Sequence, residues 1–250
     1  MKKIAIVGSH GLYANYGGWD QLVNNLAERK SPNIEYLIFN SAESPKNIKA
    51  PAGVVVKRIG LKASGIQGIF FDFWTIIISY FTVDTILLLG TQGIPIIPFL
   101  RLFKKTNIVS NVGGVEWERP KFGYFAKQYL RFCFNMSFKH SKSVILDNEH
   151  YKHFQPGSSK AKVVTIPYGG EIDFSLEVDE QITIKYPFIN SDYFLSISRS
   201  LEDNMLSELC EAFKGTEHTL VLISNFSNSE YGKLVYDKYS NEPNIILIIL

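Results

Sequence analysis

Three stretches of this sequence carry side chains whose types and spacing could do chemistry. The first is Gly8-Ser-His-Gly-Leu-Tyr-Ala-Asn-Tyr-Gly-Gly-Trp19, which follows the apolar run Ile4–Val7 and opens a helical pattern at Asp20. Glycines at a helix start let an anion approach backbone N–H groups and the positive end of the helix dipole, so Gly17 and Gly18 are candidates for a phosphate contact; their plain alternative is that they only turn the chain. Tyr13, Asn15, Tyr16 and Trp19 on the same loop suit stacking on, and hydrogen bonding to, a sugar or base. His10 could serve as a general base or touch a phosphate. The second stretch is Asn111-Val-Gly-Gly-Val-Glu-Trp-Glu-Arg119. There Glu116 could accept a hydroxyl proton or bind sugar hydroxyls, beside the indole of Trp117, while Arg119 could hold a phosphate or pair with Glu118. In the third, Arg199 comes two residues after an apolar run, where a guanidinium near a helix start suits a diphosphate, and Glu202-Asp-Asn204 could supply a helix cap and polar contacts.

Other chemistries lack their residues. The first loop is not GxGxxG, so the dinucleotide fingerprint is missing, and no YxxxK pair stands where a nucleotide-sugar epimerase would need it. His140, His150, His153 and His218 show no spacing with carboxylates that would build a metal site. Cys133 and Cys210, the only cysteines, form no CxxC and read as ordinary apolar-face residues.

The elements that must position these loops alternate. Strands are expected at Ile4–Val7, Glu35–Phe39, Val54–Ile59, Thr85–Leu89, Asn107–Val112, Ser143–Leu146 and Lys162–Ile166, with helices after Gly18 and at about 68–81, 95–104 and 120–140, the last with Pro120 in its first turn. Such alternation implies a parallel sheet covered on both faces, a doubly wound α/β domain whose ligands lie beyond the carboxyl ends of the strands. The pattern lapses between Tyr168 and Asp192. A second α/β series then starts: strand Tyr193–Ile197, helix 203–214, strand Thr219–Ile223, helix 228–239 and strand Asn244–Leu250. The expected organisation is a first domain over 1–170, a crossing over 171–192 and a partial second domain over 193–250, its last strand an open edge.

The chain has 250 residues, about 1.7 times a typical domain length. With 46% hydrophobic and 14% aromatic residues it can build sizeable cores. A net charge of +2, from 26 Lys and Arg against 24 Asp and Glu, excludes a nucleic-acid polyelectrolyte partner. The N-terminus reaches glycine after only four apolar residues, too few for the core of a signal peptide, so a cytoplasmic location is expected. The most apolar stretch, Ile69–Leu89, is interrupted by Asp72 and Asp84 and falls short of the ~18 residues a membrane span needs. Peripheral contact with the inner face of the cytoplasmic membrane is a further expectation, through Phe70, Phe71, Phe73 and Trp74 if these are not core.

Taken together, the opening Ile-Val-Gly-Ser-His-Gly-Leu-Tyr-Ala-Asn-Tyr-Gly-Gly-Trp, the middle Asn-Val-Gly-Gly-Val-Glu-Trp-Glu-Arg, the later Ile166-Pro-Tyr-Gly-Gly170 and Tyr193-Phe-Leu-Ser-Ile-Ser-Arg199 resemble a group of bacterial family 4 glycosyltransferases that includes rhamnosyltransferases of cell-surface polysaccharide synthesis. The resemblance implies a GT-B architecture, two Rossmann-like domains facing across a cleft, with the acceptor mainly on the first and the nucleotide sugar mainly on the second. It implies transfer with retention, without cofactor or bound metal, from a substrate such as dTDP-rhamnose or a UDP-sugar to a lipid-linked or saccharide acceptor. By position, Gly17, Gly18, Arg199 and Asn204 match the donor-phosphate side. Glu116, Trp117 and Arg119 match the family's Glu-Trp-x-Arg segment, in which Glu116 and Arg119 are the catalytic candidates. Asp147 and Asn148 match its Asp-Asn pair, read with Tyr13, Asn15, Tyr16, Trp19 and Trp117 as acceptor or sugar contacts.

Three departures stand out. Gly113 replaces a usual acidic residue, Glu202-Asp-Asn-Met205 only partly matches the family's Pro-Glu-Asn-Asn, and no Glu-x7-Glu donor motif occurs in the second domain. They lead to the expectation of one complete domain and the front half of another, with little or no transferase activity. The competing expectation is a non-catalytic acceptor- or partner-binding module, completed by homodimerisation.

Overall fold

Lys2–Val7 (β1), Ile34–Asn40 (β2), Val54–Arg58 (β3), Thr85–Leu89 (β4), Asn107–Asn111 (β5), Ser143–Leu146 (β6) and Lys162–Thr165 (β7) join in one sheet of order β3-β2-β1-β4-β5-β6-β7, every pairing parallel. The computed structural model describes residues 1–14, 17–120, 122–157, 159–170 and 179–249. They divide into two compact units, Met1–Gly169 and Gly170–Leu250.

The seven strands belong to the first unit, and each matches an expected one to within two residues at either end. Alternation along β1 shows why both faces are covered. Ala5 and Val7 point into a core shared with Gly65–Tyr80 (α2), Ile97–Leu100 (α3) and Tyr124–His140 (α4) through Phe71, Ile76, Tyr80, Ile97 and Cys133. Ile6 points to the opposite core, built with Val23 and Ala27 of Gly18–Glu28 (α1) and Ile38 of β2. The strand order reverses between β1, which leads outward to β2 and β3, and β4, which starts the run to β7; that gap is the switch point of the sheet.

Local departures have local causes. The helix expected at 95–104 is a single 3-10 turn, Ile94–Ile96, followed by the four-residue α3, because Pro95 and Pro98 cannot donate to a helical ladder. Pro120 lies ahead of α4, whose N-cap is Gly123, rather than in its first turn. Of the aromatics weighed for membrane contact, Phe71 is core and Phe70 and Trp74 are exposed.

In the second unit Phe194–Ile197 (β8), Leu220–Ser224 (β9) and Ile245–Ile249 (β10) form a parallel sheet of order β10-β9-β8. Leu206–Phe213 (α6) and Glu230–Tyr239 (α7) bury one face of it with Leu206, Cys210, Val235 and Tyr239 over Leu220, Leu222 and Ile245. β10 is an edge, as expected, and β8 is the other. The expected crossing holds more order than its composition promised: Glu180–Lys185 (α5) is capped by the Asp179 carboxylate accepting from the Gln181 N–H, and Pro187 starts a 3-10 turn. Residues 171–178 lie outside the described residues.

Candidate functional site

The loop after β1 is held by polar anchors, of which Asn40 and Asp20 are buried. The Leu12 N–H donates to Asn40 Oδ1 at 2.9 Å and the Tyr13 N–H to Asn24 Oδ1 at 2.7 Å. Asp20, buried in the first turn of α1, accepts the His10 N–H at 2.9 Å and lies 3.4 Å from His10 Nδ1. An acid there also complements the helix dipole. His10 is thereby oriented rather than loose in a turn. Tyr13 adopts φ +59°, a left-handed conformation that is rare outside glycine and that concentrates at functional loops. With His10, Ala14, Glu43, Ser44, Pro45 and Lys46 it lines an open pocket of about 620 Å³. Asn15 and Tyr16, expected sugar contacts, lie outside the described residues.

Gly17 is the N-cap of α1 at φ −165°, an extended conformation any residue adopts, and among the described residues no side chain caps the helix start. A Cβ at Gly17 or Gly18 would meet nothing within 4 Å. Neither backbone strain nor packing within the described residues asks for glycine here. What two glycines do provide is bare access to the first amides of an eleven-residue helix at the switch point.

Trp19 has a different place from the one its type suggested. Its ring lies across the carboxyl ends of β4 and β5, against Gly90 and Gly113, and its indole N–H donates to the Tyr168 hydroxyl at 3.0 Å. Tyr168 also accepts from Asn111 Nδ2 at 3.2 Å. Gly113 stands at φ +70°, and a Cβ on it would come within 2.9 Å of the indole. The acidic residue that the family resemblance leads one to expect at 113 therefore has no room here. Tyr168 and Asn111 belong to the motifs, but motif membership does not show that Asn111 orients the hydroxyl that holds Trp19.

Beyond β5 and β6 the acidic groups gather. Glu116–Glu118 forms a 3-10 turn, and Arg119 Nη1 pairs with Glu116 Oε2 at 3.2 Å, so the pairing weighed with Glu118 falls on Glu116. Trp117 points the other way, edge-on to Phe134 with ring centroids 4.6 Å apart, and closes the core under α4. Asp147 is partly buried; burial pushes its carboxyl above the usual range, and among the described residues its Oδ1 finds no hydrogen-bond partner. The Tyr151 hydroxyl is pushed up by burial and by the charges of Asp147 and Glu116, and it sits where a Cβ on Gly114 would lie 3.0 Å away. Asn148 spends its side chain on the backbone, accepting from the His150 N–H at 2.9 Å. The structure thus brings Glu116, Arg119, Asp147 and an unforeseen Tyr151 to one end of the sheet, an arrangement able to accept a hydroxyl proton and bind polar hydroxyls.

In the second unit Arg199 is exposed just past β8. Asn204 Nδ2 donates to the Arg199 carbonyl at 2.6 Å and so shapes this turn. It does not cap α6: Met205, at φ +51°, occupies the N-cap, and the Tyr231 hydroxyl accepts the Ser207 N–H in the first turn at 2.9 Å. Among the described residues no group of three His, Cys, Asp or Glu is arranged to hold a metal ion.

A family model described as "Domain of unknown function (DUF1972)" matches residues 1–171. No curated protein sequence matches the chain. Among solved structures, sucrose-phosphate synthase from Thermosynechococcus elongatus superposes with a TM-score of 0.70 at 14% identity, covering 100% of this chain and 70% of that one. An E. coli protein described as trehalose-6-phosphate bound with UDP-2-fluoro glucose gives 0.61 at 10% identity, over 99% of this chain and 73% of the other. Anabaena HepE in complex with UDP and glucose gives 0.61 at 12%, over 99% and 68%. The fold is α/β and GT-B-like.

Proposed function

The chain belongs to the DUF1972 domain family, and from that membership, its GT-B-like fold and its site we propose that it is a glycosyltransferase, moving a sugar from a nucleoside-diphosphate donor to a lipid-linked or saccharide acceptor in surface polysaccharide synthesis. Likeness to proteins solved with UDP-2-fluoro glucose and with UDP and glucose supports the donor class. The observation that carries the reading is the start of α1, where among the described residues no side chain caps the helix and a Cβ on Gly17 or Gly18 would meet nothing within 4 Å. In the reaction the bond between the anomeric carbon and the diphosphate oxygen breaks, its electron pair leaving with the diphosphate, and an acceptor oxygen bonds the same carbon. Amides at Gly17–Gly18 stabilise the negative charge that develops on the leaving group. Glu116, oriented by Arg119, takes the acceptor proton, while Asp147 and Tyr151 bind hydroxyls beside it. Trp19 and Trp117 serve by packing, fixing the ends of the strands that carry these groups. In the second unit Arg199 is a phosphate contact whose turn Asn204 holds. A deoxyhexose such as rhamnose, transferred with retention, is the sugar that the motifs resembling rhamnosyltransferases favour; no cofactor is involved.

Titration calorimetry of the full chain with dTDP-rhamnose and UDP-glucose tests the carrying observation. Gly17→Val with Gly18→Val is expected to leave the melting temperature within about 2 °C of the parent, since a Cβ at either position meets none of the described residues, and to weaken donor binding at least tenfold. Equal binding by parent and variant would reduce the glycine pair to a turn. Glu116→Gln is expected to lower sugar transfer about a hundredfold with donor binding retained.

A further inference from the structure

We propose that the outer surface of α2, α3 and α4 is a docking face for a bilayer carrying anionic lipid headgroups. It goes beyond the transferase reading and does not depend on it. These three helices cover the same face of the first unit's sheet, and their contacts make them one continuous layer. A Cβ on Gly93, just before α3, would touch Ile76 and Asp72 of α2; the Tyr80 hydroxyl donates to the Lys104 carbonyl; Tyr129 of α4 donates to the Gln92 carbonyl and Arg101 to the His140 carbonyl.

The side of this layer that faces away from the sheet is apolar and aromatic where a soluble surface would be polar. On α2, Ile66, Phe70 and Trp74 recur every four residues and form an exposed stripe opposite the buried Phe71, Thr75 and Ser79. Beside it the turn after α3 presents Phe99, Leu102 and Phe103, the last two 81% and 77% exposed. On α4 Phe125, 87% exposed, and Phe132 lie two turns apart on one side, with Tyr124 at the helix start. Apolar surface on this scale marks an interaction site.

Charge identifies the partner. From Thr85 to Leu146 the sequence holds nine Lys and Arg against two acids, Glu116 and Glu118, in a chain whose totals are 26 and 24. Lys104 and Lys105 directly follow Phe103, Arg131 directly precedes Phe132, and Lys139 lies further along α4; all four are exposed. Neighbouring charge is strong enough that Arg101 and Lys139 reinforce burial in holding the His140 pKa down. Aromatic and leucine side chains that enter the headgroup boundary, beside cations with long stems, match an anionic membrane surface. No helix among the described residues is long and apolar enough to cross a bilayer, so the contact is one of lying on the surface.

Co-sedimentation of the full chain with vesicles of phosphatidylcholine alone, and of phosphatidylcholine mixed with phosphatidylglycerol, tests this. Binding is expected to the mixed vesicles, to fall as salt is raised, and to drop at least tenfold in Lys104→Glu with Lys105→Glu. The exposed triple variant Phe99→Ser, Leu102→Ser, Phe103→Ser should lose binding by a similar factor; were it to misfold by near-ultraviolet circular dichroism, the charge variant still decides. Equal association with both vesicle types, or binding untouched by the charge reversal, would overturn the proposal. So would a dimer dispersed by the serine variant in a chain that ignores vesicles, since the face would then join two copies.

Discussion

Trp19 and Gly113 are the residues whose chemistry depends most on neighbours far away in sequence. A tryptophan at the end of a glycine-rich loop suits stacking on a sugar, and its type alone cannot show that its ring lies on Gly90 and Gly113 with the N–H on Tyr168, 149 residues on. The same holds for Trp117, whose partner Phe134 sits on a helix that had not yet begun. Glu116, Arg119 and Asp147 were legible because their position after a strand is local, whereas Tyr151 joins them only through the close approach of Gly114. Gly113→Ala tests the packing account. A left-handed backbone with a Cβ costs about 1–2 kcal/mol, before any movement of the indole, so the variant should melt at least roughly 2–4 °C lower. Its near-ultraviolet circular dichroism should change in the direction of a Trp19→Phe control. A Gly113→Ala chain that melts and absorbs like the parent would mean that Trp19 is not held where the structure has it.

α2 carries an acid inside an otherwise apolar layer, and that makes the helix sensitive to pH. Asp72 is fully buried next to the loop that follows β4, and burial pushes its carboxyl up to about 8. In the unfolded chain the same group ionises near 4. Between these values the unfolded chain has released a proton that the folded one keeps, so folding stability declines as pH rises through the window. Two pH units inside it correspond to as much as about 2.7 kcal/mol. Asp72→Asn removes the titration and keeps the shape; its melting temperature should exceed the parent's by clearly more at pH 7 than at pH 5. A gap that stays constant with pH would show that Asp72 ionises alike in both states. Sequence patterning found α2 because apolar runs and a sixteen-residue helix leave a strong trace, and it missed α5 because six residues capped by Asp179 in a polar segment leave almost none.

At the level of the whole chain, each unit owns its sheet. The first closes seven parallel strands between two helical layers, and its hydrogen-bonded ladders involve no strand of the second. That much follows from strand and helix alternation, which is why the α/β class could be read from sequence while the share of apolar surface left uncovered could not. Among the described residues the second unit has three strands and one small core cluster of eight buried residues, and on β8 Phe194, Leu195 and Ile197 remain exposed. Small units bury a lower fraction of their unfolded surface and gain less from it. Residues 1–169, expressed alone, are therefore expected to unfold in one cooperative transition near that of the full chain. Residues 179–249 alone should melt far lower or with no cooperative transition, and should self-associate through the exposed apolar strand as concentration rises. Scanning calorimetry and light scattering on the two fragments and the full chain check this. A first unit that cannot fold by itself would show that the two cores depend on one another, and a second that is as stable as the first would show that its small core suffices alone.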